Sequence, residues 1–376
     1  MHMRTALATA LGLCLIGAAW SLAERPAALR PRVAGASSPL RRVLQQYGIP
    51  EASQVLVFSK TSLQRDRIDE DTPRALYFNE RAAVGWVPGS PLLELAVFDG
   101  RTPGVSFLTM DTSRGGEEAV SRGDQCFQCH ALPDAGGMQG LLMRSAGLRR
   151  TKEAHRCFEE IDDRTPYDLR WGGWYVTGAR IPHGHGGREQ LPALAADYGR
   201  PGSDVVALLV LGHEVTAVNL ISRLAREARL AEQDAKEGRA PDLAAFRTRV
   251  NELTDYLLFL EETPLPAPVG GDPAYVRAFE AAGVRDAHGH SLRTLDLQRR
   301  LFRVPCSFMI HSPAFAGLPE SARHAVYARM SELLAGAPDP RVRERLTQAD
   351  REAIVHVLRA TLADLPADFG RPTSAS

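Results

Sequence analysis

Five consecutive residues, Cys126-Phe127-Gln128-Cys129-His130, restrict this chain more than any other feature in it. Two cysteines separated by two residues place both sulfurs on one turn of backbone, and the histidine that follows is carried beneath them. C-x-x-C-H is the attachment pattern of a c-type haem, in which each thiol adds to a haem vinyl group and the imidazole ligates the iron from one face. A C-x-x-C pair also serves zinc sites and thiol redox chemistry. Here no second C-x-x-C exists to complete a four-sulfur zinc site. The motif therefore predicts one covalently attached haem c, with His130 as the proximal axial ligand.

The N-terminus agrees with that reading, because haem is attached to such proteins outside the cytoplasm. Arg4 leads into an apolar run over residues 5–20, and Ser21-Leu22-Ala23 supplies a small-x-small cleavage pattern. The apolar core is about 15 residues, short of the ~20 that cross a bilayer. We expect a signal peptide over 1–23, cleaved to release a periplasmic protein, with no other segment of transmembrane length. Cys14 falls inside the run, and Gly12-Leu13 before it lacks the small residue that a lipid-modified cysteine needs next to it. Of five cysteines, Cys157 and Cys306 remain, and an oxidising compartment permits either one disulfide between them or two buried thiols. Lys plus Arg equals Asp plus Glu at 45 each, so no net field draws the protein to nucleic acid or an anionic membrane. Its partner is expected to be a periplasmic redox protein or a small molecule.

The texture of the chain changes along its length and predicts an α+β fold. Residues 24–53 are rich in Pro, Arg and Ser and read as a lead-in, with a short helix over 40–47. Over 54–112 the β-branched and aromatic runs 55–58, 75–78, 83–87, 92–98 and 105–110 are separated by turn formers at hairpin spacing, which predicts an antiparallel meander of four or five strands. Residues 113–202 are loop-rich and contain the haem-attachment motif. Helical periodicity follows over 203–366, in segments 204–236, 241–262, 273–282, 295–302, 319–335 and 348–362, predicting a helical bundle packed around the haem. Ser203 and Asp242 suit N-caps, and Pro241 and Pro319 suit first turns. Residues 367–376 read as a disordered tail.

The group on the other face of the iron controls function: Met or His there suits electron transfer, and an open site admits small ligands. His213 lies on the apolar face shared by Leu209, Ala217, Leu220 and Leu224, so it points inward as a distal ligand, a distal acid/base or a core residue. Met138 offers a thioether eight residues after His130, as a ligand or as packing on the haem rim. His183 and His185 sit in a Gly-rich loop that suits a haem ligand, a second metal site or a solvated surface. Met309 and His311 read as core packing, and His288 and His290 as a solvated turn. Trp171, Trp174 and Tyr175 suit either the wall of a haem pocket or an ordinary aromatic core. Arg144, Arg149 and Arg150 suit either haem propionates or solvent.

The segments 54–67 and 74–79, the motif 126–130, the run Arg170-Trp171-Gly172-Gly173-Trp174-Tyr175-Val176-Thr177-Gly178, His213-Glu214 and residues 301–306 together resemble a largely uncharacterised family of exported bacterial monohaem c-type cytochrome domain-containing proteins. The resemblance spans nearly the whole mature chain. The family pattern has a histidine followed by Met-Gly after the Trp-Gly-Gly-Trp segment, and His185 with Gly187 is the nearest match here. Where the family helix carries a second histidine this chain has Val218. The resemblance implies haem and fold, and leaves the reaction open.

Three functions compete. An electron-transfer cytochrome needs only the haem and two axial ligands. Roughly 350 mature residues around one haem exceed that need, which favours a haem enzyme of oxidase or peroxidase type, with His213 or His185 as catalytic acid/base. A haem-based sensor or docking module is the third. No Ser/His/Asp arrangement, phosphate loop or zinc signature appears in the sequence.

Overall fold

Alternating side chains along residues 74–111 build the antiparallel sheet expected from their pattern. The computed structural model describes residues 38–371 except 103, 115–119, 133–136, 147–157, 195–197 and 337. The expected signal peptide, Arg149, Arg150, Cys157 and the last five residues thus lie outside the described residues. The strands are β1 (Val55–Val57), β2 (Arg74–Asn79), β3 (Ala82–Trp86), β4 (Leu92–Val97), β5 (Ser106–Asp111) and β6 (Val120–Arg122), ordered as a simple meander. The sixth strand is an addition to the expected four or five. It has three residues, two of them polar and exposed, too few to show a period. Between β2 and β3, the Asn79 carboxamide accepts the N–H groups of Arg81 and Ala82 at 3.0 and 3.1 Å, an Asx turn that sets the hairpin.

The two faces of the sheet have different neighbours. Tyr77, Val84, Leu93, Leu95 and Met110 pack on one face against Leu40, Val43 and Leu44 of α1 (Pro39–Tyr47). Ser38 caps that helix and Gly48 closes it in the left-handed region (φ 65°). The second half of the expected lead-in is therefore part of the fold. On the opposite face Arg74 of β2 pairs with Glu94 of β4 at 2.5 Å, crossing β3 where Gly85 leaves room for the guanidinium.

After the sheet come the one-turn helix α2 (Phe127–His130) and two short hairpins, β7 (Ala131–Leu132) with β8 (Met138–Gln139), and β9 (Arg144–Ala146) with β10 (Phe158–Glu160). The C-terminal part is helical: α3 (Val205–Lys236), α4 (Leu243–Leu257), α5 (Pro273–Ala281), α6 (Pro313–Ala316), α7 (Glu320–Leu334), α8 (Pro340–Arg345) and α9 (Gln348–Thr361). Asp242 caps α4 as expected, but α3 is capped by Asp204, which accepts the Ala207 N–H at 2.9 Å. Ser203 instead accepts the Leu56 N–H at 2.8 Å and ties the helix entrance to β1. Pro319 occupies the cap position of α7 rather than its first turn. Residues 295–302, expected as a helix, reverse direction: the Asp296 carboxylate takes the N–H groups of Gln298 and Arg299, and Leu297 has φ 58°. An aspartate that captures the backbone locally competes with helix formation.

Helix α3 corrects the expectation that no segment beyond the N-terminus has transmembrane length: it is long and apolar enough to span, yet 94% of its most apolar 18-residue window is buried inside the protein. A helix that is apolar all round must be enclosed. One continuous apolar cluster runs from Val55 through α3 to Phe369, so the boundaries at 113 and 203 mark changes of texture within a shared core.

Glu214 on α3 lies inside that core at 2% exposure, and its Oε2 has no hydrogen-bond partner among the described residues. Burial first, then the charge of Glu80, pushes its pKa well above the ordinary carboxyl range, against the pull of Arg293. The folded carboxyl thus keeps a proton that the unfolded chain releases near pH ~4.3. Its contribution to stability is full below that pH and is lost as pH rises toward the folded pKa. Glu214→Gln mimics the protonated form, so its urea midpoint should gain on the parent between about pH 5 and about pH 8. A difference that stays constant over that range would show that Glu214 does not carry the effect.

Candidate functional site

The five-residue motif folds as one continuous turn. A 3-10 turn over Asp124–Cys126, closed by Cys126 N–H to Gly123 O at 2.9 Å, runs directly into α2. Cys126 and Cys129 are both free thiols; Cys129 is exposed and Cys126 half-buried. Burial, then the charge of Glu94, raises the Cys126 thiol pKa. Gly123 is needed for the approach, since a Cβ there would stand 2.8 Å from Cys126 Sγ and 3.3 Å from Phe107.

His130 is held at its back. Its Nδ1 lies 2.9 Å from the Gly140 carbonyl oxygen, and the Gly140 N–H returns a 2.8 Å bond to the His130 carbonyl. A carbonyl only accepts, so Nδ1 carries the hydrogen and Nε2 keeps its lone pair. The ring packs against Phe107 with centroids 4.5 Å apart. Burial pushes its pKa below the ordinary histidine value, Arg74 and Arg144 add to that shift, and the Gly140 carbonyl and Glu94 oppose it. The imidazole is therefore neutral near pH 7, as a metal ligand must be. A carbonyl on the remote nitrogen is also the usual support for a metal-bound histidine.

The carbonyl that orients His130 is anchored in turn by α3. The Asn219 carboxamide accepts the Leu141 N–H and donates to the Leu141 carbonyl, both at 2.8 Å, gripping the residue after Gly140 from both sides. A Cβ at position 140 would collide with Asn219 Oδ1 at 2.6 Å. Asn219 lies in a segment that shares in the family resemblance, but no role for it is legible there, because its partner lies 78 residues away.

Among the expected residues, the structure gathers Cys126, Cys129, His130 and Arg144 and leaves others elsewhere. His213 sits as a core residue. It is fully buried, its Nδ1 lies 3.1 Å from Asp163 Oδ2, and its Nε2 lies 2.6 Å from Ser307 Oγ. Its ring stacks on Tyr256 and Phe259 at 5.0 and 4.7 Å. Neither nitrogen is open to an iron in this arrangement. Asp163, His213 and Ser307 form the Ser/His/Asp order absent from the sequence reading, since its members lie 50 and 94 residues apart. With exposures of 6%, 0% and 0% the three are closed to substrate and act as a polar network inside the core.

His185 accepts the Gly187 N–H on Nδ1 and lies edge-on to Trp171 and Tyr167, with Nε2 3.5 Å from Glu189. His183 is exposed. Trp174 donates its indole N–H to the Arg144 carbonyl at 2.7 Å and shares the core with Leu141 and Met143, so it braces the segment behind Gly140. Trp171 adopts φ 68°, and Gly172 lies so close to Ala146 that a Cβ would overlap its carbonyl. Tyr175 donates to the Glu70 carbonyl. Met138 pairs with Leu132 in the β7–β8 hairpin and packs toward Gly104. Met309 is fully buried and His311 meets Thr361 at 2.9 Å, as core packing requires. Cys306 is a free, fully buried thiol.

No protein family, no curated protein and no solved structure matches the chain. The likeness to exported monohaem proteins rests on its motifs alone.

Two substitutions separate positioning from packing. Asn219→Ala strips two hydrogen bonds and leaves buried backbone groups unmet, a loss of about 2–4 kcal/mol; in protein loaded with the haem expected at the motif, it should also shift that haem's absorption by releasing the His130 support. His213→Ala should destabilise by about 3 kcal/mol through the stranded Asp163 while leaving that absorption where it was. A spectral change on His213→Ala, read beside thermal melts of both variants, would return His213 to the iron.

Proposed function

We propose that the chain is an exported c-type cytochrome that holds one haem covalently through Cys126 and Cys129, ligates it through His130, and transfers electrons in the periplasm. The observation that carries this reading is the hydrogen bond from His130 Nδ1 to the Gly140 carbonyl, which leaves Nε2 as the one basic nitrogen of a neutral imidazole beside two free thiols. A thiol-redox pair would not need that tautomer fixed, and a zinc site, which would, has no second C-x-x-C to complete it.

When bound, haem supplies a one-electron iron couple whose potential follows the axial ligands and the surrounding dielectric. The protein's part is to hold His130 rigid through Gly140, Leu141 and Asn219, and to keep water from its ring with Phe107. Arg144, two-thirds buried along its side chain, 3.9 Å from Glu160 and near enough to depress the His130 pKa, would meet an anionic edge such as a propionate. In this reading the C-terminal helices back the motif through α3.

A second reading is a haem enzyme with an exchangeable sixth position. It is favoured by the engagement of both His213 nitrogens, which withdraws the strongest distal protein ligand foreseen in the sequence.

The test uses protein exported in a host able to attach haem. Haem should remain on the chain through a denaturing gel at one per polypeptide and disappear in Cys126→Ser/Cys129→Ser; a chain that never retains haem overturns the assignment. Carbon monoxide added to the reduced protein then separates the readings. A spectrum indifferent to it supports the carrier, and rapid binding supports the enzyme.

A further inference from the structure

Far from the motif in sequence, Asp286-Ala287-His288-Gly289-His290 and His356 bring three of the 11 histidines around one carboxylate. The turn is tightly specified. Asp286 Oδ1 accepts the N–H groups of His288 and His290, each at 2.8 Å, and Gly289 adopts φ 86°. These bonds aim Oδ2 outward. There His290 Nδ1 approaches to 2.7 Å and His356 Nε2, from α9, to 3.1 Å. The carboxylate is almost wholly buried at 1% exposure, while both imidazoles are more than half exposed.

Two imidazoles that each place an N–H on one carboxylate oxygen are the protonated counterpart of a metal site. The three ligating atoms lie within 4.8 Å of one another. Zinc bonds of about 2.1 Å to nitrogen and oxygen set tetrahedral ligands ~3.4 Å apart, so the 2.7 and 3.1 Å contacts open to that edge with small side-chain shifts. Two neutral nitrogens and one carboxylate suit borderline divalent ions rather than Ca²⁺ or Mg²⁺, which prefer all-oxygen cages. The His288 ring stands 6.1 and 6.2 Å from the rings of His290 and His356, beside the remaining coordination position. The backbone N–H bonds that orient Asp286 would act as the support such sites need.

We propose that Asp286, His290 and His356 form a surface site for a divalent cation of the zinc class, with the remaining position open to water or His288. The site is independent of the haem assignment, and it corrects the expectation of a merely solvated turn at His288 and His290.

The experiment is calorimetric titration of the full chain with zinc chloride at about pH 7.5, where free imidazoles are neutral. It is run on haem-loaded protein and on Cys126→Ser/Cys129→Ser, so that motif thiols do not take up the metal. One zinc per chain should bind in both, and zinc should raise the melting temperature. His290→Ala and His356→Ala, at exposed positions that leave the fold intact, should each weaken binding about tenfold or more and remove the thermal gain. Absence of zinc uptake, or uptake unchanged in the His290→Ala/His356→Ala double variant, would overturn the site and leave a hydrogen-bonded cluster.

Discussion

Enclosure of α3 is the constraint on which the rest of the architecture depends. A helix of 32 residues carrying Val205, Val206, Leu208, Val210, Val218, Ile221 and Leu224 at 2% exposure or less cannot rest on a single partner face. It has to be surrounded, and burial of each large apolar side chain is worth about 1.5–3 kcal/mol. α4, α5, α6 and α7 cover it on the C-terminal side. The segment 141–143, Trp171 and Trp174 share the same core. Enclosure forces the few polar residues of the helix to find internal partners, and those partners define the molecule's functional geometry.

Asn219 and His213 illustrate this on one helix. Six residues apart at about 100° each, they project roughly 120° from one another, so they serve different neighbours. Asn219 meets the backbone at Leu141 and through it sets the carbonyl that orients His130. His213 faces the helical side and completes a bridge between Asp163 and Ser307. That bridge links the loop-rich middle of the chain, α3 and the segment before α6. Its chemistry is positional, because each partner is buried and hydrogen-bonded to the next.

The elements with a strong period were legible in the sequence. The strands over 74–97 and the helices over 205–236, 273–281, 320–334 and 348–361 emerge within a few residues of their expected limits, because half-buried strands and amphipathic helices stamp periods of 2 and 3.6 on the chain. Residues 295–302 misled because the reversal at Asp296 depends on a side-chain oxygen capturing two amides, which leaves no period. Ser203 misled as a cap because β1 supplies a competing N–H. In the site, Cys126, Cys129 and His130 were legible since their chemistry depends on spacing within one turn. Asn219 was not, since its role arises from a contact 78 residues away. His288 and His290 read as a solvated turn because the arrival of His356 at Asp286 is a tertiary event.

His130 and His213 begin from the same device and end differently. Each has Nδ1 fixed by an oxygen, a carbonyl for one and a carboxylate for the other. Each is walled by aromatic carbon, Phe107 in the first case and Tyr256 with Phe259 in the second. The difference lies at Nε2. Ser307 occupies that of His213 at 2.6 Å, and among the described residues no hydrogen bond engages that of His130. An inward-facing histidine on an apolar helix face reads as a ligand in sequence because periodicity reports direction and says nothing about what waits there. The histidine that retains an unused lone pair beside two thiols is the one equipped to hold a metal, and burial of its ring keeps that lone pair free of a proton at neutral pH.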